Sequence, residues 1–177
     1  ILNTAPSGAN ARPFITHHNA MDIDLYMRIA LELPLKRLIV GGMERVYEMG
    51  RVFRNEGMDP HHNPEFTELE TYIQYYDMDA DMDEMEGIFK AAANAVTTDG
   101  IVKYQGHTID MNKPFRRLHM VDAIKDVTGV DFWPKMSLDQ AKKLAKEHNV
   151  EVKPYYQVGN IINQFFEDKV KTHIKQP

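Results

Sequence analysis

Val46-Tyr47-Glu48-Met49-Gly50-Arg51-Val52-Phe53-Arg54-Asn55-Glu56 and Phe66-Thr67-Glu68-Leu69-Glu70-Thr71-Tyr72-Ile73-Gln74-Tyr75 decide the fold of this chain. Both runs are rich in β-branched and aromatic residues. Gly57 to Pro64, between them, is rich in Gly, Asp, Pro, His and Asn. The spacing predicts two antiparallel strands joined by a long polar loop. In the first strand the period of two puts Arg54 and Glu56 on one face. In the second, Thr67, Leu69, Thr71, Ile73 and Tyr75 point one way and read as core. Phe66, Glu68, Glu70, Tyr72 and Gln74 point the other way. That second face is too polar for a core. An arginine and several carboxylates on one side of a hairpin suit an anion and a cation held side by side.

Outward from the hairpin the elements are simpler. Residues 1–20 read as a loop, with Gly8 allowing close backbone approach to a ligand. Residues 23–40 are mostly apolar. Pro34 predicts a break near Leu33 and a short helix after it, ended by Gly41-Gly42. Asp79 to Val96 reads as an amphipathic helix with Met82, Met85, Ile88, Phe89, Ala92 and Val96 as its apolar stripe. Asp79, Asp81, Asp83 and Glu84 complement the dipole of its first turns, and a carboxylate metal cluster is the second reading there. Residues 101–110 predict a short hairpin around Gly106, and a helix follows near 120–127. Ser137-Leu138-Asp139-Gln140 is a capping-box start, and its helix buries Leu138, Ala141, Leu144 and Ala145. The last helix, 156–175, carries Ile162, Phe166, Val170 and Ile174, with Ile161 and Phe165 beside them. Residues 1–115 thus hold the sheet, and 116–177 make a small helical unit.

Composition excludes several classes. The chain has 177 residues, no cysteine and a net charge of −5. A disulfide framework and a thiolate zinc site are therefore ruled out, and a general polyanion binder is disfavoured. No run of about 18 apolar residues exists to span a membrane as a helix. The start, Ile1-Leu2-Asn3-Thr4-Ala5-Pro6, lacks the basic and apolar parts of a signal peptide and an initiator Met. We therefore expect a fragment of a longer protein. The late lysines (Lys135, Lys142, Lys143, Lys146, Lys153, Lys169, Lys171 and Lys175) read first as solvated helix faces and second as a nucleic-acid contact.

Arg54 offers a planar fork of donors suited to phosphate or carboxylate. Arg-x-Glu alone reads as a strand-surface ion pair; the His-rich loop, then Phe66, and Glu70 with Tyr72 on one returning face, raise the ligand reading. Phe66 offers a ring for stacking or for the core. Glu70 and Tyr72 suit an ammonium group or an edge-strand pair. Glu32 is a lone acid inside Arg28-Ile29-Ala30-Leu31-Glu32-Leu33, so it faces a ligand or pairs with an arginine. The pairs His17-His18 and His61-His62 each offer at most one good metal ligand, because neighbours on a strand diverge. His62 near Arg54 is better placed as a phosphate contact, and no metal site is assigned.

The ordered set Ser7-Gly8-Ala9, Arg12-Pro13-Phe14-Ile15-Thr16-His17-His18-Asn19, Arg28 to Leu33, Val40-Gly41-Gly42 and Arg45-Val46-Tyr47-Glu48 carries a resemblance. So do Phe53-Arg54-Asn55-Glu56-Gly57, His62-Asn63-Pro64-Glu65-Phe66-Thr67 and Glu70-Thr71-Tyr72. Together they resemble the catalytic core of class II lysyl-tRNA synthetases, the bacterial type especially. Phe-Arg-x-Glu looks like the second signature motif of that class. Similarity continues more weakly through Asp110 to Phe115 and the helical region.

The resemblance implies an α+β fold. It would be part of an antiparallel sheet flanked by helices, holding the second motif over 1–115, with a helical insertion over 116–177. It implies a cytoplasmic, homodimeric ligase with lysine, ATP and tRNA(Lys) as substrates, and no membrane partner. Lysine's carboxylate attacks the α-phosphate of ATP, and the lysyl group then passes to the tRNA's terminal ribose. Carried over by position, Arg54 bridges the lysine carboxylate and α-phosphate. Glu56 and the backbone around Asn63 read adenine, Phe66 stacks on it, and His62 contacts the distal phosphates. Gly8, through its carbonyl, and Glu32 hold the α-ammonium. Tyr72 helps hold the side-chain ammonium, and Glu70 borders both ligands.

The departures are His61, where Arg is frequent, Thr71 on the core face, and Leu31, where Pro is common. The first motif would precede Ile1. The third motif and the carboxylates for Mg2+ would follow Pro177. The isolated chain is expected to be inert. The rival expectations are a paralogue that lysylates a protein and a non-catalytic binding module derived from a synthetase.

Overall fold

The computed structural model describes residues 1–60 and 62–177. The chain forms two compact units, Ile1–Asp79 and Ala80–Pro177. Strands gather in the first and helices in the second, an α+β arrangement.

The first unit opens with two short strands where a loop was expected. β1 (Leu2–Asn3) and β2 (Ile15–His18) flank β3 (Ile23–Met27) in an antiparallel sheet of order β1-β3-β2. α1 spans Glu32–Val40. Pro34 sits inside its first turn rather than before it. The reason is that first-turn N–H groups have no intrahelical partner, so proline's missing donor costs nothing there. Gly41 caps the helix and donates to the Arg37 carbonyl at 2.9 Å.

β4 (Arg45–Phe53) and β5 (Glu65–Ile73) pair antiparallel, from Arg45 opposite Ile73 to Phe53 opposite Glu65. The long connection is as expected, but the faces are not. Val46, Phe66 and Tyr72 pack against buried Leu31, Leu35 and Val52. α1 therefore covers the face that carries Phe66, Glu68, Glu70 and Tyr72. The face read as core is open: Tyr47 is 74% exposed, Met49 69% and Leu69 43%. Alternation identified the two faces correctly, but it cannot say which one a helix will cover.

In the second unit, α2 (Met78–Val96, beginning just before the boundary) is followed by the hairpin β6 (Ile101–Tyr104) and β7 (His107–Asp110). The expected stripe of α2 is covered only in part, with Met82 and Ile88 half-buried. Phe89 is 52% exposed and Val96 80%, while Ala93 is the buried residue of the helix. α3 (Met120–Thr128), α4 (Leu138–Glu147) and α5 (Val158–Phe165) build a shared core. Ile124, Phe132, Ala141, Ala145, Ile161 and Phe165 lie at its centre.

Ser137 caps α4 as predicted. Its hydroxyl accepts from Gln140 N at 3.3 Å, and its own N–H donates to Gln140 Oε1 at 2.8 Å. The last helix changes pitch. Phe166–Val170 forms a π turn, and a short 3₁₀ turn, Lys171–His173, ends it. The wider turn moves the buried stripe from Phe165 to Val170, five residues on, and leaves Ile174 exposed. A constant spacing of four therefore misplaced Ile174.

Candidate functional site

β4 ends at Phe53, so strand period does not align Arg54 with Glu56. A tight turn does it instead. Arg54 N donates to the Pro64 carbonyl at 2.8 Å, Glu56 N to the Arg54 carbonyl at 2.9 Å, and Asn55 N to the Arg12 carbonyl at 2.7 Å. Arg12 N in turn donates to Glu56 Oε1 at 3.4 Å. The loop at Arg12 thereby clamps the turn. Arg54, Glu56, Gly57, His62, Asn63 and Phe66 line one cavity of about 330 Å³. Five predicted residues from two stretches of sequence thus meet in one place. A second cavity is lined by Phe14, Met27, Phe53, Asn63, Pro64 and Glu65.

Arg54 is restrained within the cavity. Its Nε donates to the Ile29 carbonyl at 3.2 Å, and its guanidinium lies 5.0 Å above the Phe66 ring. Phe66 packs on the Leu31 cluster and also lines the cavity. His62 pairs through Nδ1 with Asp59 at 2.8 Å, and the two residues exchange backbone bonds of 3.2 Å. The His62 side chain is otherwise largely exposed, and Nδ1 is the ring atom committed to Asp59. His61, where an arginine was noted as frequent, lies outside the described residues. The other histidine pair makes no metal site: His17 Nδ1 meets Asp24 at 3.0 Å and its Nε2 meets Asp22 at 3.4 Å.

Glu70 and Tyr72, farther along the same strand face, belong to a second cluster with Glu32 of α1. Tyr72 donates to Glu70 Oε2 at 2.8 Å. Burial, that hydrogen bond, and the charges of Glu70, Glu32 and Glu68 push the Tyr72 phenol above its ordinary value. Tyr72 is therefore a donor at any ordinary pH. Glu32 pairs with Lys36 one turn on, not with an arginine as one reading expected. Lys36 also lies 5.9 Å over the Tyr72 ring. Gly8 has φ +89°, and a Cβ there would sit 3.0 Å from Ala30 Cβ and 3.3 Å from Glu32 Cβ. Only glycine fits that approach, so Gly8 and Glu32 are brought together.

Three contributors were not singled out from the sequence. Glu68, in the row between Phe66 and Glu70, places Oε1 3.7 Å from Arg54 Nη2. Burial and the Glu70 carboxyl push it above its ordinary value, against the pull of Arg54. Arg28 donates to Glu48 at 2.5 Å and to the Arg51 carbonyl at 2.7 Å. It passes over Gly50, where a Cβ would collide with it. A glycine inside a strand was the available signal for that close approach.

Among the described residues, no group of three or more His, Asp or Glu side chains is arranged to hold a metal ion. Asp83 of the acidic start of α2 pairs instead with Arg117 at 2.5 Å. Two of the late lysines, Lys143 and Lys171, pair with Glu147 and Glu167 one turn away.

A family model described as tRNA synthetases class II (D, K and N) matches residues 1–169. A lysine–tRNA ligase of Pediococcus pentosaceus is 65% identical over all 177 residues, which make up 36% of that protein. One of Lactiplantibacillus plantarum is 63% identical, again over the whole chain and 36% of the relative. One of Latilactobacillus sakei is 60% identical over the whole chain and 35% of the relative. The chain spans about a third of the length of these curated relatives.

Proposed function

Because the chain belongs to the class II tRNA synthetases (D, K and N), we propose that it is part of a lysine–tRNA ligase. The whole protein would join lysine to ATP, releasing pyrophosphate, and then transfer the lysyl group to tRNA(Lys). The convergence of Arg54, Glu56, His62, Asn63 and Phe66 on one cavity, beside a row of carboxylates, carries this reading.

The roles follow the chemistry of each group. Activation needs two anions in line and their developing charge neutralised, with little acid–base work. Arg54 would meet the lysine carboxylate and α-phosphate with its fork. Glu56 and the backbone at Asn63 would bond the adenine edge, Phe66 would stack on the base, and His62 would reach the distal phosphates. Gly8 and Glu32 would hold the α-ammonium. Tyr72 would help hold the side-chain ammonium, with Glu70 between the two ligands. Mg2+ would be held by groups other than this chain's side chains.

The reading includes a cytoplasmic homodimer, residues 1–115 as part of the catalytic core and 116–177 as a helical insertion. No helix among the described residues is long and apolar enough to cross a membrane. The chain alone would be inactive. Amino-acid-dependent ATP–pyrophosphate exchange by the full-length protein tests the proposal. Exchange with lysine, and not with aspartate or asparagine, is the expected result. The opposite preference would overturn it.

A further inference from the structure

Arg54 has one edge tied down and one edge open. Nε is bound to the Ile29 carbonyl, the plane rests over Phe66, and Nη2 meets Glu68. Nη1 has no partner among the described residues. A fork held on one side and open on the other is prepared for an incoming anion.

Glu68 is held against its own solvation. Its Oε2 is buried and accepts from no donor among the described residues. Opposite it across the ribbon stands Gly50, so no side chain of β4 supplies one. Arg28 passes over Gly50 but is committed to Glu48 and the Arg51 carbonyl. On its own strand Glu68 adjoins Glu70, whose Oε2 already takes the Tyr72 hydroxyl. From α1 the charges on this face are Glu32 and Lys36, and these pair with each other. Arg54 is the cation left for Glu68.

A part-buried carboxylate with one buried, orphaned oxygen is unfavourable in the absence of compensation. We propose that Glu68 is a positioning residue, whose ionised carboxylate fixes the Arg54 fork so that its open edge meets the anion already aligned. When Glu68 is protonated it can donate to Glu70 instead, and Arg54 loses that restraint. The inference rests on the reading of Arg54 given above, and extends it to a residue that touches neither substrate.

The test uses the full-length protein with Glu68→Gln and Glu68→Ala. Crystal structures without ligand should show Arg54 in one conformer in the wild type, and displaced or split in Glu68→Ala. In exchange assays kcat should fall about tenfold in Glu68→Ala, with a smaller change in KM for ATP. The wild-type kcat should decline on the acid side, and that limb should flatten in Glu68→Gln. On an Arg54→Lys background, Glu68→Gln should cost nothing further.

An unmoved Arg54 in Glu68→Ala would overturn the inference, whatever the protein's activity. So would an unchanged kcat and acid limb in a folded Glu68→Gln. A wild-type protein lacking lysine-dependent exchange would overturn the functional reading alone, because the crystallographic comparison would still decide Glu68.

Discussion

The guanidinium of Arg54 rests 5.0 Å above the ring of Phe66. The residue read as the anion clamp and the residue read as the base platform therefore lean on each other. The ring is thus shared between the arginine, the Leu31 and Val52 packing and the cavity wall. Phe66→Leu in the full-length protein should keep the packing on Leu31 and Val52 but loosen both functions. We expect a higher KM for ATP together with a lower kcat. A rise in KM alone would mean that Arg54 does not depend on the ring.

Arg54→Lys replaces a planar fork by a single point charge. Its loss as a transition-state donor should cost about 3–4 kcal/mol in adenylate formation. Steady-state exchange with lysine measures this directly, and a near-normal rate would refute the role.

Glu68 makes stability depend on pH. Its carboxyl in the folded protein lies above the ordinary value of 4.5. The folded state therefore binds this proton more tightly than the unfolded chain. That contribution to stability is fully present below the ordinary value and is lost as pH rises through the folded-state value. Glu68→Gln removes the charged form. It should raise Tm at about pH 8 and give little gain below about pH 4. Thermal melts at both pH values check the sign. A variant that gains stability while losing rate would mark Glu68 as kept for function.

Gly8→Ala places a side chain at positive φ against Ala30 and Glu32. The strain should cost about 1–3 kcal/mol of stability. Because Glu32 is displaced as well, KM for lysine should rise more than KM for ATP. Chemical denaturation and substrate titrations separate the two effects.

Phe165 is fully buried among Phe132, Ile161 and their neighbours. Phe165→Ala should destabilise the second unit by about 3–5 kcal/mol. Hydrogen exchange resolved along the chain should show the loss in α3 to α5. The Arg54 turn should be unaffected if the units open separately.

Much of the hairpin was legible in the sequence. Period two gave the strands and their pairing, and it grouped Phe66, Glu68, Glu70 and Tyr72. The side on which α1 packs was not legible, because both faces hold apolar and polar residues. Arg54 and Glu56 were rightly placed together for a wrong reason: the strand stops at Phe53, and the turn is set by backbone bonds to Pro64 and Arg12. Such bonds join distant segments and leave no local pattern. Glu68 was seen on the right face but could not be distinguished from an ordinary surface acid. Its burial becomes visible only when Gly50 is known to stand opposite. The capping box at Ser137 was fully legible, because both of its partners lie within four residues.

The π turn at Phe166–Val170 holds one residue of slack. Phe165 and Val170 both reach the core, although an unbroken α-helix would present residues four apart. Shortening the segment by one residue, for instance by deleting Lys169, would let the helix run straight through. Phe165 and the valine would still lie on the buried side. The same deletion in α4, where Ala141 and Ala145 already stand four apart, would rotate every later residue away from its neighbours. The last helix, unlike α4, can thus lose one residue without repacking.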